Sequence, residues 1–92
     1  MANVVVTVKI MPEDVEVDLK SVEKEAEKAI HKYVGKGEIR NSLEPVAFGL
    51  NALKMIFVMD EGKGNLDPLE DILRNLDGVQ SVEVVDVRRA IG

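Results

Sequence analysis

The chain opens on a two-residue rhythm. Val4, Val6, Val8 and Ile10 alternate with Val5, Thr7, Lys9 and Met11, and that period in β-branched residues predicts a strand over Asn3 to Met11. Pro12 ends it, having no amide to donate to a neighbouring strand. From Asp18 the spacing changes to three and four. Leu19, Val22, Ala26, Ala29, Ile30 and Tyr33 fall on one stripe, while Lys20, Glu23, Lys24, Glu27, Lys28 and Lys32 face water. This is an amphipathic helix with Asp18 as its N-cap, stopped by Gly35 and Gly37. Its charged rows predict Lys20–Glu23 and Lys24–Glu27 pairs.

Glu38 to Leu43 reads as a modest strand, interrupted by Pro45. Ala52 to Met59 is a strongly apolar strand, and Asp60 to Asn65 is a turn rich in glycine and acid. A second helix follows, with Asp67 as N-cap, Pro68 at its first position, and Leu69, Ile72, Leu73 and Leu76 inward. Gly78 closes it at C′. Val79 to Arg89 is the last strand. Its apolar phase slips between Val84 and Val85, which signals either a bulge or burial on both faces. The order β-α-β-β-α-β predicts a ferredoxin-like α+β sandwich, a four-stranded antiparallel sheet with two helices on one face. That fold hosts many activities and selects none of them.

Composition narrows the choice. Ninety-two residues predict one domain spanning 1–92. Seventeen acidic against twelve basic side chains give a net charge of -5, opposite to what direct nucleic-acid binding requires. Only three aromatics are present, too few for base-stacking platforms. The absence of cysteine removes disulfide, zinc-knuckle and thiol chemistry. Neither a leader nor a membrane span is expected, and the chain reads as cytoplasmic.

Candidate chemistry is sparse. His31, the one histidine, reads as a helix-surface residue, and Ser21, Ser42 and Ser81 have no paired base. Gly35-Lys36-Gly37 and Gly62-Lys63-Gly64 do not fit a phosphate-binding loop. Asp60, Glu61 and Asp67 lack the alternating ligands of a calcium loop. No catalytic residue, cofactor site or metal site is expected. Two features stand out. Phe48 sits in a Pro-Val-Ala-Phe-Gly loop, either as a core plug or as an exposed anchor. Arg88-Arg89 is the only adjacent basic pair, either paired to nearby acids or reaching for a partner. Arginine and aromatics are favoured interface anchors, so together they suggest one protein-binding tip.

Pro45-Val-Ala-Phe-Gly-Leu50, Leu66-Asp-Pro-Leu69 and Val79-Gln-Ser-Val-Glu-Val-Val-Asp-Val-Arg-Arg89 resemble the elongation factor 1-beta family. The likeness covers nearly the whole chain and is closest to archaeal members, which correspond to the C-terminal exchange domain of the eukaryotic proteins. The family's fold is the sandwich argued above. The resemblance implies guanine-nucleotide exchange on elongation factor 1-alpha in its GDP form, without covalent chemistry. It also implies that Phe48, followed by Gly49, packs on the partner. The eukaryotic members carry a lysine near the C-terminus that inserts near the partner's magnesium and phosphate. Arg89 matches that position, beside Arg88, and a planar guanidinium there is not equivalent to an ammonium. Two lysines common after Phe-Gly in the eukaryotic form are Asn51 and Ala52 here. The alternative, from a different class, is a small-molecule-sensing module built on the turns at Gly35, Gly37, Gly62 and Gly64. An acylphosphatase-like site would need a basic phosphate loop after the first strand, where Met11-Pro12-Glu13-Asp14 is acidic.

Overall fold

A computed structural model describes residues 3–90; Met1-Ala2, where the leader question falls, and the Ile91-Gly92 tail lie outside the described residues. The elements run β1 (Asn3–Pro12), α1 (Leu19–Val34), β2 (Ile39–Pro45), β3 (Asn51–Asp60), α2 (Asp67–Arg74) and β4 (Val79–Arg89). They form one sheet in the order β2-β3-β1-β4, with every neighbouring pair antiparallel. The predicted ferredoxin-like α+β arrangement is the one observed.

The two-residue rhythm of β1 becomes a two-faced strand. Val6, Val8 and Ile10 are buried against Val22, Ala26 and Ile30 of α1 and Leu69 and Leu73 of α2, so both helices cover the same face. Leu53, Met55, Phe57 and Met59 of β3 join that core. Burying one such side chain contributes about 1.5–3 kcal/mol, which is what drives both helices onto the strands. Asp18 caps α1 as expected, its carboxylate accepting from Lys20 N at 3.0 Å. Pro12 and Pro45 are the last residues of their strands, opposite Val79 and Asn51.

Several expectations need correction. The predicted Lys20–Glu23 and Lys24–Glu27 pairs give way to Lys28–Glu25 at 3.3 Å. Glu27, half-buried beside β2, instead accepts from Asn41 Nδ2 at 2.6 Å. α2 begins at Asp67, not after it, and the side chain that satisfies its first amide is Asn65, whose Oδ1 accepts from Asp67 N at 2.9 Å. Ile72 is 47% exposed, because the short α2 buries only Leu69 and Leu73. α2 stops at Arg74, so Gly78 is not its C′ residue; it forms the turn into β4 at φ 86°. A Cβ there would meet Val17 Cγ1 at 2.8 Å, so glycine is required on steric grounds as well.

The slip at Val84 and Val85 is a β-bulge. Thr7 lies opposite Asp86 and Val8 opposite Val84, which leaves Val85 unpaired and exposed. Cross-strand partners share a face. Val82, Val84, Val87 and Arg89 therefore share the helix-covered face with Ile10, Val8, Val6 and Val4, while Asp86 and Arg88 point to the open face. One extra residue decides which arginine faces which way.

Candidate functional site

The β2–β3 hairpin carries Phe48 on a 3₁₀ turn, Ala47–Gly49. Val46 N donates to Leu50 O at 2.8 Å and Leu50 N donates to Ala47 O at 3.3 Å, which closes the loop on itself. Phe48 is 93% exposed and takes φ 62°, ψ 29°. It is the one non-glycine residue with positive φ among the described residues. It is no core plug. An L-residue in this left-handed region costs about 1–2 kcal/mol, and an exposed phenyl ring returns nothing by burial. Strain of this kind, held by the surrounding backbone, concentrates at sites of function. Gly49 follows at φ 75°, so two successive left-handed residues form the crest of the loop that presents the ring.

The stem of the hairpin is fixed by charge. Glu44, one residue before Pro45, receives Lys54 Nζ at 3.3 Å and Lys9 Nζ at 3.5 Å. The hydrogen bond from Lys54 is the larger cause, and with the nearby Lys9 charge it holds the Glu44 carboxyl below its ordinary pKa of 4.5. The three side chains tie β2, β3 and β1 together just below the loop.

Arg88 and Arg89 close β4 at the other end. Arg88 Nε meets Asp86 at 2.8 Å on the open face. Arg89 Nη2 donates to Glu61 Oε1 at 2.8 Å, Glu61 lying on the turn Glu61–Lys63 that follows β3. Both guanidiniums remain largely exposed. Exposed pairs are worth about 0–1 kcal/mol and are easily exchanged for a stronger partner.

The structure separates the two features that the sequence suggested as one tip. Arg89 lies opposite Val4, and Val4 opposite Met59 of β3; Asn51, at the start of β3, lies opposite Pro45. The eight steps from Asn51 to Met59 along an extended strand span roughly 27 Å, in keeping with a molecule 41 Å long. Phe48 and Gly49 occupy one end of the sheet, and Arg88 and Arg89 the other. Strand alternation contained this: in an antiparallel β-α-β-β-α-β sheet, the β2–β3 loop falls where β1 ends and the C-terminus of β4 falls where β1 begins.

The remaining candidates serve the fold. His31 Nε2 lies 3.0 Å from Gly37 O, joining the end of α1 to the loop that enters β2. Asp60 Oδ1 accepts from Gly62 N at 2.7 Å, an internal contact of its turn. Ser21 Oγ donates to Asp18 at 3.2 Å, inside the helix cap. Tyr33 donates its hydroxyl to Asn65 O, with Lys63 Nζ 5.9 Å from its ring centre, which fastens the turn after β3 to α1. No helix among the described residues is long and apolar enough to cross a membrane.

Sequence comparison identifies relatives along nearly the whole chain. The chain is 42% identical over 91 residues to "Elongation factor 1-beta" of Staphylothermus marinus, covering 97% of this chain and 98% of that one. It is 39% identical over 89 residues to the protein of that name from Methanothermobacter thermautotrophicus, again covering 97% and 98%. With that of Aeropyrum pernix it shares 39% over 93 residues, at the same coverage. Residues 5–90, which take in both helices and all of the sheet except the first two residues of β1, match the model of the EF-1 guanine nucleotide exchange domain, and the chain belongs to that family.

Proposed function

We propose that this chain, acting as one exchange unit over residues 1–92, accelerates release of GDP from elongation factor 1-alpha. GTP then enters, and the form that carries aminoacyl-tRNA in translation elongation is renewed. The observation that carries the reading is Phe48, a fully presented aromatic held in a strained left-handed conformation on a hairpin stiffened by Pro45 and the Glu44 cluster. The partner is elongation factor 1-alpha in its GDP form, met in the cytoplasm, with no direct nucleic-acid or membrane contact. Phe48 and Gly49 dock on it; Arg88 and Arg89 work some 27 Å away by the strand rise, so the partner is engaged along the length of the sheet.

The chemistry asks for no covalent step. In a GTP-binding protein, Mg²⁺ bridges phosphate oxygens and protein ligands and holds the nucleotide tightly. Arg89, released from Glu61, brings a positive charge that disfavours the ion or shifts the loops around it. Coupling is reciprocal: a factor that weakens nucleotide binding is itself weakened by nucleotide, so GTP entry ejects it.

The test is release of a fluorescent GDP analogue from purified archaeal elongation factor 1-alpha at matched magnesium. Acceleration that saturates with the concentration of this chain is expected. No acceleration of an active partner would overturn the reading.

A further inference from the structure

The β1–α1 bend lies against the Phe48 hairpin. A Cβ added to Gly49 would stand 3.8 Å from Val15 Cγ1, ordinary contact distance, so Val15 packs beside the backbone that presents the phenyl ring. The bend itself is built to hold Val15 out. Asp14 Oδ1 accepts from Glu16 N at 2.8 Å, and Val17 N donates to Asp14 O at 3.4 Å. Glu13 N donates to Gly78 O at 2.9 Å, and Val17 tucks against Gly78. Between these fixed points Val15 is 63% exposed. A β-branched apolar side chain at the crest of a tight bend is not what turn geometry selects, since glycine, asparagine, aspartate and serine serve there. Val15 and Phe48 are exposed apolar side chains on adjoining segments at one end of the sheet, a two-part apolar knob, and the exposed Glu13, Asp14 and Glu16 flank Val15 in sequence.

Building on the docking role read above for Phe48, we infer that Val15 is a second contact of the same tip. The knob fits a hollow on elongation factor 1-alpha that is apolar at its floor and rimmed on one side by lysine or arginine. The apolar pair supplies the lasting contact, and the acidic rim guides approach and fixes rotation about the ring, because charge at the edge of an interface acts mainly on encounter and register.

Val15→Ser removes the contact while installing a residue that bends accept readily. In the GDP-release titration, the half-saturating concentration is expected to rise roughly three- to tenfold, with the plateau rate and the thermal midpoint unchanged. In the Val15→Ser, Phe48→Ala double variant, the rise should be smaller than the product of the two single rises, as for groups filling one hollow. Glu13→Gln with Glu16→Gln should flatten the salt dependence of association. An unchanged half-saturating concentration for Val15→Ser, beside an unaltered chain that accelerates release, would overturn the contact alone. Strictly multiplicative single effects would overturn the shared hollow. Failure of the unaltered chain to accelerate release would instead overturn the exchange reading on which the contact depends.

Discussion

Arg89 donates to Glu61 across 2.8 Å at the far end of the sheet from Phe48. The pair joins the last residue of β4 to the turn after β3, and it engages the cation that the proposed mechanism sends to the partner's nucleotide site. Being exposed, it stabilises the fold by no more than about 1 kcal/mol. Arg89→Ala is therefore expected to lower the maximal rate of GDP release tenfold or more while moving the melting temperature by only a few degrees. Glu61→Gln should free the guanidinium and improve exchange about two- to fivefold, in line with the loss of a surface ion pair. A clear fall in rate for Glu61→Gln would show that Glu61 aims Arg89 rather than restrains it.

Phe48 offers a test in which stability and activity move in opposite directions. Its left-handed backbone suits glycine better than any L-residue, and its ring buries nothing within the chain. Phe48→Gly is expected to raise urea-derived stability by about 0.5–1 kcal/mol, the relieved strain less the entropy of an added glycine. The same substitution should raise the half-saturating concentration for exchange at least tenfold. A loss of stability greater than 1 kcal/mol would mean the ring packs on its own protein.

Gly78 is the opposite case, a residue needed for folding rather than for the partner. Gly78→Ala places a methyl 2.8 Å from Val17 Cγ1 at φ 86°. The expected loss is about 1–3 kcal/mol, read as a lower urea midpoint at unchanged slope. Because Val17 anchors the bend that carries Val15, a milder second effect on partner affinity should accompany it. A fully stable variant would show that the bend yields easily.

Glu44 sets a pH dependence. Its carboxyl is held below the ordinary 4.5 by the Lys54 hydrogen bond first and the Lys9 charge second. With the folded-state value depressed, the stabilisation is complete above that ordinary value and is lost as pH falls through the folded value. Urea midpoints measured from pH 6 down to pH 3 should decline less steeply for Glu44→Gln than for the unaltered chain. Parallel declines would show that the two lysines do not favour the ionised form.

Local signals carried most of the architecture. The β1 alternation, the α1 stripe and its Asp18 cap all stand in the structure as their spacing predicts. The misses have physical causes. Asn65 and Asp67 offer equivalent side-chain acceptors two residues apart, and local sequence does not rank them. The Val84–Val85 slip is visible, but its resolution depends on pairing with Thr7 and Val8, a contact seventy-odd positions away in the chain. The φ of Phe48 has no signature in the chain, since nothing marks a phenylalanine as left-handed. The separation of Phe48 from Arg89 needed only strand directions, and weighing residue types before topology hid it.

The unbroken run of β3 also makes the sheet a yardstick. Under the proposed docking, its length in residues would set how far apart the two ends touch the partner, and pairing leaves it little give. Removing two residues from each strand would keep every side chain on its face yet shorten the gauge by roughly 7 Å. Removing one would turn the surface inside out beyond the cut. Under the proposed docking, a change in that stride would therefore come in steps of two residues.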